Sequence, residues 1–203
     1  MDDTPLETDL ESTLIKLITE KSKAADLVIV TDFGHGLIGP NVVKALIKNA
    51  KFLAVNTQSN SANTGFNLIS KYPKADYICI DTPEARLATA DKHSDVTVIA
   101  KDKLPQKVDC ERFIITHGNN GCVVYDRDIG TKHIPVFTKT VVDTVGAGDA
   151  FFAITSPLVA AGGNMNNVGF IGNAAGAIKV GIVGHRKSVE KIPLMRYITT
   201  LLK

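Results

Sequence analysis

The sequence predicts an α/β fold with a mostly parallel sheet, and three observations carry this. Short apolar runs of strand length, such as 27–30 and 77–80, recur without polar alternation. Such runs suit strands covered on both faces, as in a parallel sheet between helix layers. Segments of helical period separate them, and strand–helix alternation is the pattern of parallel α/β sheets. Each run also ends in a polar or glycine-containing loop. In such sheets ligands bind outside the carboxyl ends of the strands.

The elements follow in order. Residues 1–8 read as a disordered start. Leu10, Leu14, Ile15, Leu17 and Ile18 recur at helical spacing and predict a first helix. A strand over 26–31 leads into Asp32-Phe33-Gly34-His35-Gly36. Pro40 opens a helix that runs to about Asn49. A second strand over 52–55 ends in Asn56-Thr57-Gln58-Ser59-Asn60, and 61–72 reads as a polar loop with a short helix. A third strand over 77–80 is followed by Asp81-Thr82-Pro83-Glu84, the opening of a helix. Residues 96–100 read as a short strand and 112–115 as a further one. The segments 122–125 and 131–136 predict an antiparallel pair around a turn at 126–130. Val141 and Val142 read as the end of another strand. Helices are expected over about 147–161, 166–180 and 188–202.

Length and composition bound the function. The 203 residues suit one domain, with 44 % hydrophobic and 22 % charged residues, an ordinary globular balance. Net charge is +2 with both signs interleaved, which argues against a nucleic-acid surface. There is no run of about 18 apolar residues, so no membrane span is expected. The acidic N-terminus lacks the features of a signal peptide. Cys79, Cys110 and Cys122 form no Cys-x-x-Cys pair and read as buried free thiols in a reducing cytoplasm.

The stretch 141–152 organises the chain. Gly146 and Gly148 remove side chains at a turn, and an apolar helix follows Asp149. A helix start exposes unpaired N–H groups and partial positive charge, a place for a phosphate or a developing oxyanion. A carboxylate there repels a bound anion. Its presence makes chemical sense if it takes a proton from a hydroxyl while the amides hold the phosphoryl group under attack. Asp is also a common helix-capping residue, so an ordinary turn is the competing reading. Two other phosphate motifs do not fit. Counting from Gly146, Phe151 occupies the third small-residue position of a dinucleotide fingerprint. No Gly-Lys-Ser/Thr triplet of a Walker-type loop occurs.

Asp143-Thr144-Val145-Gly146-Ala147-Gly148-Asp149 resembles the second signature of the ribokinase/PfkB family of carbohydrate kinases. The resemblance implies a ribokinase-like three-layer α/β/α fold and a single nucleotide-binding domain over 1–203. The family's lid and N-terminal part would be absent. It implies that Asp149 is the general base and that Gly146, Ala147 and Gly148 form the anion hole. ATP and Mg²⁺ would be the cofactors, with a monovalent cation as a further candidate. Thr116-His117-Gly118-Asn119-Asn120-Gly121 resembles the family's Thr-x-Gly-x-x-Gly segment, so Thr116, Gly118 and Gly121 would lie against the nucleotide; Asn-Gly is equally a turn signal. Asp81 and Glu84 fall where the family has Asn-x-x-Glu beside magnesium, and they also read as a helix cap with an acidic first turn. Asp32-Phe33-Gly34-His35-Gly36 resembles an Asp-Tyr-Gly-Lys-Gly loop of heptose-phosphate kinases, which makes Asp32 and Gly34 substrate-side candidates along with Asn56. Asn56-Thr57-Gln58 replaces the Asp-Pro-Lys of many members and loses a lysine. Asn173 is a candidate adenine contact. His185, Arg186 and Lys187 form a basic loop facing the nucleotide or solvent.

The expected activity is phosphoryl transfer from ATP to a sugar or sugar-phosphate hydroxyl. The alternative is a catalytically inactive nucleotide-binding or regulatory module. A homodimer, or the remaining N-terminal portion of a longer chain, would be the protein partner.

Overall fold

The apolar runs form β1 (Val28–Asp32), β2 (Leu53–Thr57), β3 (Tyr77–Asp81) and β4 (Arg112–Thr116), all parallel. They are seen in a computed structural model that describes residues 4–138, 140–184 and 186–203. β5 (Cys122–Asp126) and β6 (Gly130–Ile134) continue the sheet antiparallel, and the spatial order follows the sequence, β1 to β6.

Successive strand side chains point to opposite faces, and each face is covered here. Ile78 and Ile80 of β3, Phe113 and Ile115 of β4, and Val123 and Tyr125 of β5 share one core. Leu14, Ile15 and Ile18 of α1 (Thr8–Ala24) join it, with Val42, Val43 and Leu46 of α2 (Pro40–Asn49) and Ala85 and Ala88 of α3 (Thr82–Thr89). Tyr77, Cys79, Ile114, Cys122 and Val124 face the other way. They meet Phe151, Phe152 and Val159 of α5 (Ala147–Ala160) and Met165 and Val168 of α6 (Met165–Lys179). The last helix, α7 (Lys191–Leu201), seats Leu194 against Ala174 and Ala175 of α6. This is a three-layer α/β/α arrangement. Burial on both faces is the physical reason the strand sequences do not alternate.

Two expected strands are not strands. Residues 96–100 are helical, with α4 (Val96–Val98) running into a π turn, Ile99–Lys103. The Asp95 side chain accepts from the Thr97 N–H at 2.7 Å and caps the turn. Val96, Ile99 and Ala100 are buried at helical spacing. Val141 and Val142 are exposed and join no strand. The Val142 and Asp143 N–H groups instead both donate to the Val180 carbonyl, at 2.8 and 3.0 Å, which bends this segment over the end of α6. At the start of the chain α1 already begins at Thr8, while residues 1–3 lie outside the described residues.

All three cysteines are buried and unpaired. Burial pushes the Cys110 and Cys122 thiols up to about 12 and Cys79 well above the usual thiol range. Among the described residues no helix is long and apolar enough to cross a membrane.

Candidate functional site

Strand register gathers the site. Asp81 at the end of β3 is opposite Thr116 at the end of β4, and Asp32 at the end of β1 is opposite Thr57 of β2. The Asn56 side-chain amide donates to the Cys79 carbonyl at 2.8 Å and ties the end of β2 to β3. The start of α5 faces this edge.

Gly146 precedes α5 with φ 74°, the left-handed conformation that favours glycine. Asp143 holds the approach: its carboxylate accepts from the Val145 N–H at 2.9 Å and the Gly184 N–H at 2.7 Å. The Ala147 N–H is engaged by the Thr144 carbonyl at 3.1 Å. The Gly148 and Asp149 N–H groups have no protein acceptor among the described residues. A Cβ at Gly148 would meet nothing within 4 Å. Of the expected Gly146–Gly148 cradle, the Ala147 amide is therefore already committed, and free donors lie at Gly148 and Asp149 at the positive end of the helix dipole. Asp149 is exposed in the first turn of α5.

Two cavities meet here. One of about 240 Å³ is lined by Asn56, Gln58, Ser59, Asp81, Glu84, Thr116, Gly146, Gly148 and Asp149. The second, of about 330 Å³, runs over Gly118, Gly121, Ala147, Phe151, Asn173 and Gly176 and shares Asp81, Thr116 and Gly148 with the first. Residues up to 124 positions apart in sequence, Asn56 to Val180, thus line one continuous cleft. Its wall is closed by the Phe151 ring packed onto Gly172, where a Cβ would collide with the ring. Among the described residues, the lining of both cavities holds three carboxylates and neither Lys nor Arg. Lys179 and Lys187 border Asp149 in a third cavity. The Lys179 ammonium is buried and donates to the Gly184 carbonyl at 2.6 Å.

Asp81 and Glu84 form a reciprocal cap at the start of α3. The Asp81 side chain accepts from the Glu84 N–H at 2.7 Å, and the Glu84 side chain from the Asp81 N–H at 2.9 Å. Glu84 also accepts from the Ser59 N–H at 3.1 Å. Burial, and then the neighbouring Asp81 charge, push Glu84 up to about 7; burial likewise raises Asp81. The capping reading and the metal reading are thus compatible on the same two residues. The donor set suits a hard cation: two carboxylates, with the Asn56 Oδ1 and Ser59 Oγ atoms buried in the same cavity and lacking a hydrogen-bond partner among the described residues. Among the described residues no group of three or more His, Cys, Asp or Glu is clustered for a metal, so such a cation would keep most of its water.

The other expected residues have different surroundings. Asp32 is 3 % exposed; one carboxylate oxygen accepts from Lys71 and Tyr72, each at 2.7 Å, and the other from the Gly34 N–H at 3.0 Å. Gly34, at φ 73°, packs where a Cβ would collide with Asn63 and Asn67. Neither lines the cleft; both order the loop beside it. Gly121 has φ 86° and lies against the Ile134 carbonyl. Asn173 donates to the Ile134 and Pro135 carbonyls at 3.0 and 2.9 Å, so its amide group fastens the exit of β6 while bordering the second cavity. Arg186 and Lys187 are exposed, and His185 lies outside the described residues. Gln58 was not foreseen as a site residue. Its side-chain Nε2 donates to Asp149 Oδ1 at 2.7 Å. The only signal in the sequence was the replacement of Asp-Pro-Lys by Asn56-Thr57-Gln58.

This three-layer α/β/α fold, with its cleft across the carboxyl edge of the sheet, is of the ribokinase-like class by its likeness to solved structures. The sequence matches the model of the pfkB family of carbohydrate kinases over residues 39–192, and the chain belongs to that family. It is 30 % identical over 177 residues to the bifunctional protein HldE of Campylobacter jejuni subsp. doylei, covering 86 % of this chain and 37 % of that protein. It is 28 % identical over 182 residues to HldE of Wolinella succinogenes, covering 89 % and 37 %. Among solved structures it resembles phosphofructokinase-2 from Escherichia coli in complex with potassium, with a TM-score of 0.80 at 15 % identity, covering 98 % of this chain and 64 % of that one. Ribokinase from Thermotoga maritima gives 0.70 at 19 %, covering 97 % and 62 %. The chain thus spans little more than a third of the length of these curated relatives.

Proposed function

We propose that this chain transfers the γ-phosphoryl group of ATP to a hydroxyl of a sugar or sugar phosphate. The observation that carries the proposal is the location of Asp149. It is an exposed carboxylate at the mouth of a cleft, one residue from a glycine whose free N–H begins a helix.

In this reading Asp149 accepts the proton of the attacking hydroxyl, and the Gly148 and Asp149 amides, with Gly146, face the phosphoryl oxygens. Gly148 carries no side chain, so backbone and phosphate can approach closely. Thr116 offers a hydroxyl to the phosphates, and Gly118, Gly121 and the small residues of α6 leave room for the nucleoside. Among the described residues the cleft lining has three carboxylates and no Lys or Arg, while ATP is itself highly anionic. Asp81 and Glu84, with Asn56 and Ser59 nearby, would hold Mg²⁺. That ion would neutralise the phosphate charge and supply electrophilic stabilisation when bound. The acceptor class follows from family membership, and the likeness of the Asp32–Gly36 loop favours a heptose phosphate among acceptors.

The test is a screen of ADP release from Mg–ATP over sugars and sugar phosphates, heptose phosphates included. Acceptor-dependent release with equimolar phosphorylated product is expected. Tight Mg–ATP binding with no release for any acceptor would leave the chain a nucleotide-binding module and overturn the proposal.

A further inference from the structure

The Gln58 carboxamide is the neutral donor facing the proposed base, and its own position is fixed from behind. Its backbone N–H donates to the Asp32 carbonyl at 2.8 Å. Its carbonyl accepts from Asn67 Nδ2 at 3.1 Å, and the same amide group of Asn67 donates to the Asp32 carbonyl at 2.8 Å. Asn67 is buried, and Asp32 is held in turn by Lys71, Tyr72 and Gly34. One polar network therefore runs from the end of β1, through Gln58, to Asp149, the last step bridging 91 residues of sequence.

The chemistry of the contact is one-sided. A carboxylate only accepts, so the amide must present its N–H₂ group to Asp149; its oxygen there would repel. Engaging Oδ1 leaves Oδ2 as the oxygen that can take a proton. A lysine at position 58 would also hold the carboxylate, but its charge would make the carboxylate a weaker base. A carboxamide orients without that cost and without adding charge.

We infer that Gln58 is a positioning residue for Asp149, fixing one carboxylate oxygen so that the other faces the acceptor hydroxyl, and that it couples the Asp32 loop to the base. The inference rests on the kinase reading for its kinetic consequence, but the contact itself can be tested without turnover.

Two measurements on the full chain test it. With an acceptor from the ADP-release screen, Gln58→Ala is expected to lower kcat about tenfold with the KM for Mg–ATP unchanged. Gln58→Glu, which keeps the length but as a carboxylate has no N–H to donate, should lose at least as much. An undiminished kcat, or a loss confined to KM, would overturn the inference. The second measurement is the ¹⁵N–¹H signal of the Gln58 side-chain amide. It should shift as pH falls through carboxylate titration, and the shift should vanish in Asp149→Asn. A Gln58 signal indifferent to Asp149→Asn would overturn the inference. Failure of every acceptor in the screen would overturn the kinase reading and leave this second result standing.

Discussion

Gly121 and Gly148 border the same cleft for different reasons. Gly121 has φ 86°, and a Cβ would collide with the Ile134 carbonyl. Gly121→Ala should cost about 2–3 kcal/mol, read as a fall in Tm or in the urea midpoint. Gly148 has no positive φ, and a Cβ would meet nothing within 4 Å. Alanine there should hold or raise Tm, by up to about 1 kcal/mol of helix propensity. Its methyl would nevertheless enter the space shared by both cavities, so the affinity for Mg–ADP by calorimetry should fall about tenfold or more. Parallel losses of stability and binding in both variants would contradict these separate roles. At this scale the sequence was legible where chemistry is local: the Gly146–Asp149 run and the Asp81–Glu84 cap occupy the cleft. It was misleading where partners are distant. Nothing near Asp32 in sequence shows that Lys71 and Tyr72 enclose its carboxylate, and nothing near Gln58 points to Asp149.

At the scale of elements, α3 carries a testable charge. Burial raises Glu84 from 4.5 to about 7. Between those values the folded state binds a proton that the unfolded state does not. The unfolding free energy therefore falls as pH rises through this window, by on the order of 2 kcal/mol, and Asp81 acts in the same direction. In metal-free buffer, urea melts should show the wild type losing more stability between pH 4.5 and 8 than Glu84→Gln does. Equal slopes would contradict the shift. The two missed elements have a common cause. The β-branched runs at 96–98 and at 141–142 carry strand propensity, but propensity needs a partner strand. The Asp95 cap makes the first helical, and the Val180 carbonyl binds the second.

For the whole molecule, the unalternating runs were enough to read the doubly covered sheet, because burial on both faces writes itself into the inner strands β2 to β5. The antiparallel turn at 126–130 was equally local. The order in which the strands lie, and the meeting of α5 with the edge of β2 to β4, are long-range and were not legible in the pattern. The double covering can be checked chemically. Cys79 of β3 and Cys122 of β5 are buried in one core and Cys110, two residues before β4, in the other, all with raised thiols, so a thiol reagent should find none in the native protein within minutes and all three after unfolding. Rapid native labelling would mean an open layer. The most direct test of the whole molecule as a phosphotransferase is the acceptor-dependent rate of ADP release in Asp149→Asn, with Mg–ADP affinity measured on the same protein. A fall of about 10²–10⁴-fold is expected, with that affinity essentially unchanged. An undiminished rate would contradict the assignment of Asp149 as the base.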